Sequence, residues 1–156
     1  MTKPSGFDPL SLPESNGSGY PEPHRSAAKN RWNRRLGDHA GLKNFGVNIT
    51  RIEPGGQSSQ RHWHLLEDEL VYVLEGEAVL VTDAGEEVLT TAMCAGFPAG
   101  VENGHHFLNR SDRDVLLLVV GDRRKGEEAF YPDIDMHGSD GPDGRFVFTR
   151  KDGTPY

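Results

Sequence analysis

The stretch Gly56–Gly76 constrains this chain more than any other. It holds two histidines, His62 and His64, two residues apart in a segment too polar and too short for a core helix. Side chains alternate along a strand, so both imidazoles fall on one face. Glu69 follows across the polar pair Glu67-Asp68. The apolar, β-prone run Leu70–Leu74 comes next, and Glu75-Gly76-Glu77 turns the chain. Two strands joined by a short bend can therefore gather two imidazoles and one carboxylate, a common coordination set for a divalent transition metal. A His-x-His pair alone would be weak support, because most such pairs are surface histidines.

The remaining pattern is strand, turn, strand. Phe45, Val47 and Ile49 alternate with Gly46, Asn48 and Thr50, which predicts a strand with one apolar buried face. Pro54-Gly55-Gly56 closes it. Further strands are predicted over 69–74, 78–82, 86–90, 93–97, 105–109 and 115–120, with Asp83-Ala84-Gly85 as a hairpin turn, and edge strands near Phe130-Tyr131 and over 145–149. No segment has sustained helical periodicity. Nineteen glycines and ten prolines in 156 residues suit many short strands, and the length suits one core. The fold class expected is all-β, a sandwich or barrel. Residues 1–25 carry half the prolines and read as an extended arm, leaving 26–156 as a single barrel domain.

Composition narrows the partners. The formal net charge is −7 and no basic stripe occurs, which argues against nucleic acid. Arg31, Arg34 and Arg35 form a short basic cluster, read as a solvated face or local ion pairs. The longest apolar run, Val115–Val120, is too short to span a bilayer, and the N-terminus lacks a secretory apolar stretch. A cytoplasmic protein with no membrane contact is expected. The single cysteine, Cys94, excludes an intramolecular disulfide and is expected to be a small core residue.

The spacing Gly56-x5-His62-x-His64-x4-Glu69-x6-Gly76 resembles the first signature of the cupin superfamily, with all five fixed positions matched. At residue frequencies of about 5%, a chance match is on the order of one in a million per starting point. A second motif follows in Pro98-x-Gly100 and His105-x3-Asn109. It departs from the family pattern in two places. Ala92 stands where a glycine is usual, which suggests a turn without positive φ, and four residues rather than two separate Gly100 from His105. The phrases Ser59–His64, Gly96–Gly100, Asn109–Asp112 and Lys151–Tyr156 are similar to a group of small single-domain cupins of uncharacterised function. The resemblance implies a double-stranded β-helix, the jelly-roll barrel, and a homodimer is a frequent assembly in the family. It also implies a fourth metal ligand. His105 and the adjacent His106 compete for that place, since neighbouring strand residues face opposite ways, and the His-x3-Asn spacing favours His105.

One divalent ion (Mn, Fe, Ni or Zn) is the expected cofactor, held by His62, His64, Glu69 and His105. Four protein ligands on a six-coordinate metal leave two positions for a small-molecule ligand. Strand parity places Gln60, Val71, Val73 and Phe107 on the pocket side, so the interior is expected to be largely apolar apart from the metal and Gln60. Two classes of function follow. One is a metal-dependent enzyme on a small oxygen-rich substrate, such as a sugar, sugar phosphate or keto acid, by isomerase, lyase or dioxygenase chemistry. The other is a non-catalytic small-molecule binding or sensing module. No catalytic acid or base beyond Glu69 is identifiable.

Overall fold

The structure, a computed structural model, describes residues 5–143 and 145–156. Short 3-10 turns occupy Pro9–Ser11 and His24–Ala28. The regular elements are β1 (Arg31–Arg35), α1 (Leu36–Ala40), β2 (Phe45–Ile52), β3 (Trp63–His64), β4 (Glu69–Glu75), β5 (Glu77–Thr82), β6 (Gly85–Thr90), β7 (Cys94–Phe97), β8 (His106–Leu108), β9 (Val115–Asp122), β10 (Glu128–Tyr131), β11 (Met136–Asp140) and β12 (Phe146–Thr149). All pairings are antiparallel. A five-stranded sheet runs β1-β2-β9-β4-β7, a three-stranded sheet β6-β5-β8 and a four-stranded sheet β12-β11-β10-β3. This is a jelly-roll barrel, the architecture expected from the sequence.

The main core joins the first two sheets. Ile52, Val71, Val73, Val115 and Leu117 from the larger sheet pack with Ala78, Leu80, Leu89 and Phe107 from the smaller. Apolar burial of this kind contributes about 25 cal/mol per Å². A second cluster, Tyr20, Ala129, Tyr131 and Met136, lies under the third sheet. Tyr20 belongs to the proline-rich segment, which lies on its own barrel. Ser15 bridges Asn33 in β1, and Glu14 holds both Arg34 and Arg51, at 2.7 and 2.9 Å. Residues 1–4 of the expected arm lie outside the described residues.

Gly76, the last residue of the His62–Glu69 motif, has φ 87°. A Cβ there would sit 2.9 Å from the Asp114 carbonyl oxygen, so both backbone conformation and close approach require glycine. Three expectations are corrected. Ala92 does take positive φ, at 74°, so the turn keeps the left-handed geometry despite its Cβ. Cys94 is exposed, because it begins β7 on the outer side of the sheet, in register with the outward Tyr72. In β2 it is Asn48, Thr50 and Ile52 that face the interior, while on the expected face Phe45 is 40% exposed and only Ile49, at 5%, is buried. The hydrophobic-inside rule fails for the inner face because the interior beside β2 is a polar cavity.

Candidate metal centre

Backbone pairing brings the two motifs together. His62 and His105 form an antiparallel bridge, with His105 N donating to His62 O at 2.8 Å and the reverse bond at 3.2 Å. Glu69 starts β4 opposite Phe97 of β7. His64 lies in β3, which pairs with β10 through Ala129. The four side chains converge as a result. His62 Nε2 is 3.0 Å from His64 Nε2, His105 Nε2 is 3.1 Å from Glu69 Oε1, and His64 Nε2 is 4.0 Å from Glu69 Oε2. His62, Glu69 and His105 offer ligand atoms within 4.8 Å of one another.

The protonation pattern tests whether a cation fits. His62 Nδ1 lies 2.9 Å from the Gln60 carbonyl, and His64 Nδ1 lies 3.1 Å from Glu127 Oε1. Each acceptor assigns the ring proton to Nδ1. That leaves the Nε2 atoms of the two rings facing each other across 3.0 Å, as two donors to one cation would. Two nitrogens about 2.1 Å from one ion at a right angle are separated by about 3.0 Å. The residues present therefore fit a divalent metal.

Electrostatics prepare the same state. Burial, helped by the neighbouring histidines, pulls the His62 imidazole down to about 3, so it stays neutral. Burial alone would raise Glu69, but the hydrogen bond and charge of His105 outweigh it and hold the carboxyl at about 2. The ring of His105 is 2% exposed and stacks on Phe97 at 3.6 Å, which fixes its plane while its Nδ1 has no partner. His106 turns away and bonds the Ser59 carbonyl through Nδ1 at 3.1 Å.

Glu127 carries no signal in the sequence, since it lies in a charged run 63 positions from His64. It is 2% exposed, and its carboxylate accepts from the backbone N–H groups of Leu65 at 3.0 Å and Leu66 at 2.8 Å as well as from His64. His64, Glu67 and Glu127 also lie close enough to suggest a metal cluster, but both Glu127 oxygens are already engaged by these donors. Its role is to hold the His64 ring. Loss of such a partner weakens metal binding by about 10–100-fold. Glu127→Gln is expected to do so in a chelator competition, with the circular dichroism spectrum retained. Undiminished affinity would contradict this role.

The centre lines a cavity of about 420 Å³. Of the residues expected in the pocket, Val71 and Phe107 line it. Val73 lies in the core and does not, and Gln60 turns its amide toward the His24 carbonyl at 3.5 Å. The expected apolar interior is corrected, since Tyr20, Arg31, Asn33, Asn48, Thr50, Ser58 and Ser59 also line the cavity. Five of them come from β1, β2 and the segment before β1, where sequence reasoning placed no pocket. The alternation of Arg31, Asn33 and Arg35 with Trp32 was the available signal.

Fold and site together define a β-barrel with a candidate metal centre. The Cupin domain family model matches residues 48–121. A sugar phosphate isomerase of the cupin superfamily from Silicibacter pomeroyi is 48% identical, with 97% of this chain and 96% of that chain covered and a TM-score of 0.92. A structure from Acidithiobacillus ferrooxidans is 28% identical over 81% of this chain and 80% of its own, with a TM-score of 0.72. The polyketide cyclase RemF from Streptomyces resistomycificus is 26% identical over 78% and 80%, with a TM-score of 0.62. No curated protein matches the chain. The chain belongs to the cupin superfamily. Among the described residues no helix is long and apolar enough to cross a membrane.

Proposed function

We propose that this protein is a metal-dependent isomerase of a small sugar phosphate. The observation that carries the proposal is the convergence of three histidine nitrogens and an ionised carboxylate at a polar cavity, in a chain 48% identical to a protein described as a sugar phosphate isomerase. His62, His64, Glu69 and His105 would hold the ion, which supplies Lewis acidity toward a substrate oxygen. The reaction moves one proton between adjacent carbons and one between the attached oxygens, so no external oxidant is needed. Tyr20 lines the cavity, and burial raises its phenol so that it stays protonated and donates to a substrate oxygen. Asn33 and Thr50, joined at 2.8 Å, orient hydroxyl groups beside it.

One observation favours a second function, that of a binding module. The cavity-lining carboxylates are Glu69, a metal ligand, and Asp38, which is bound to Arg123 at 2.6 Å. No unengaged carboxylate among the described residues is available to take a carbon-bound proton. Proton NMR in D2O separates the two. Metal-loaded protein with aldose phosphates is expected to give the isomer and deuterium at the carbon beside the carbonyl. A ligand that raises Tm and returns intact, without exchange under any of Mn, Fe, Ni or Zn, would overturn the isomerase and support binding alone.

A further inference from the structure

Arg31 lines the cavity from β1, and its charge has no counterion among the described residues. Its Nη1 donates to the Ser58 carbonyl and its Nη2 to the Gly17 carbonyl, both at 2.8 Å. Its Nε is buried with no acceptor. Arg34, Arg51, Arg61, Arg110 and Arg123, by contrast, each hold a carboxylate at 2.6–2.9 Å. A partly desolvated guanidinium bonded only to neutral oxygens is costly to keep, and burial already pulls it below the ordinary arginine value. Beside Arg31 the wall offers a second donor. The Asn33 carboxamide accepts from Thr50 through Oδ1, which leaves its Nδ2 hydrogens without a partner among the described residues. The protein as a whole carries −7. A positive cavity wall in an acidic protein focuses its field on entering anions.

We infer that the Arg31 wall is an anion subsite that takes the phosphate monoester of a small ligand, with Asn33 as a second donor. The subsite deepens the isomerase proposal by naming what would recognise the substrate's phosphate, but its own basis is Arg31, and it stands without turnover. The Ser58 and Gly17 carbonyls hold the guanidinium in place before the ligand arrives. Ser59, the residue after Ser58, lies 3.4 Å from His62 Nδ1, so this wall adjoins the metal centre. A ligand anchored here would share the cavity with the four candidate metal ligands.

The test titrates inorganic phosphate into metal-free full-length protein by calorimetry. Without metal, ionised Glu69 repels phosphate at the histidines, so binding reports the Arg31 wall. Saturable binding is expected, weakened at least about tenfold in Arg31→Gln and no more than about threefold in Arg31→Lys, which keeps the charge. Acetate is expected to compete poorly. Strong acetate competition would overturn the phosphate assignment in favour of a carboxylate site. If Arg31→Gln does not fold, the Arg31 Nε–H resonance of wild-type protein decides, and it should shift as phosphate saturates. A wild type that does not bind phosphate, equal affinity in Arg31→Gln, or an unmoved resonance would overturn the subsite. Phosphate binding without isomerase activity would leave the subsite standing and remove only the proposed reaction. Isomerase activity with an Arg31→Gln KM unchanged would do the reverse.

Discussion

Replacing His62 and His64 together by alanine is expected to reduce metal content from about one equivalent to none. The two imidazoles supply two of the three nitrogens at the centre, and their Nε2 atoms face each other at 3.0 Å. What remains is Glu69 and His105, held 3.1 Å apart, and two donors do not retain a labile divalent ion through purification. The measurement is plasma mass spectrometry on protein made without an affinity tag or chelator. His106→Ala is the control, because that ring bonds the Ser59 carbonyl and should keep its metal. Loading wild-type protein should also raise Tm, by about 2.7 kcal/mol of linked stability at a hundredfold excess over Kd, and should leave the double variant unmoved. Metal retained in the double variant would refute the centre. Stoichiometric Zn in the wild type would fit a four-coordinate site and disfavour oxygen chemistry, whereas Mn, Fe or Ni would fit open positions for a chelating substrate.

The convergence of the four candidate ligands was largely legible in the sequence because they obey local rules. His62 and His64 share a face by strand parity, Glu69 follows at a fixed spacing, and the His-x3-Asn spacing picks His105 over His106. Val71 and Val73 faced inward for the same reason. What could not be read depended on partners distant in sequence. Glu127 meets His64 only because β10 pairs with β3, and nothing in Gly126-Glu127-Glu128 distinguishes it from a solvated run. Arg31 looked like part of a charged patch, yet the pairing of β1 with β2 sets its side chain toward the cavity while Arg34 pairs with Glu14. The face of β2 was misassigned for a related reason. Periodicity shows that a strand has two faces, but a polar cavity reverses which one lies inside.

The run Val115–Val120 poses the same question with no polar residue to answer it, and it yields the largest stability effect expected. Its six residues are all apolar, so the sequence reads as a strand buried on both sides. The structure separates them. Val115 and Leu117 are fully buried in the core with Val71 and Val73, while Leu116 and Leu118 lie half-buried on the opposite face of β9. Leu117→Ala should cost about 2–5 kcal/mol, since it removes buried methyl groups and leaves a void the surrounding strands cannot close. For a chain of this size that lowers Tm by roughly 5–15 °C. Leu116→Ala removes the same atoms from the outer face and should cost under about 1.5 kcal/mol. Urea unfolding of the two variants side by side measures the difference. Equal costs would mean that the outer face is as dry as the inner one, and the division of β9 into a core face and an outer face would fail. Leu117 also lines the cavity that holds the four candidate ligands, so metal content measured on the same variant tells whether the void reaches them.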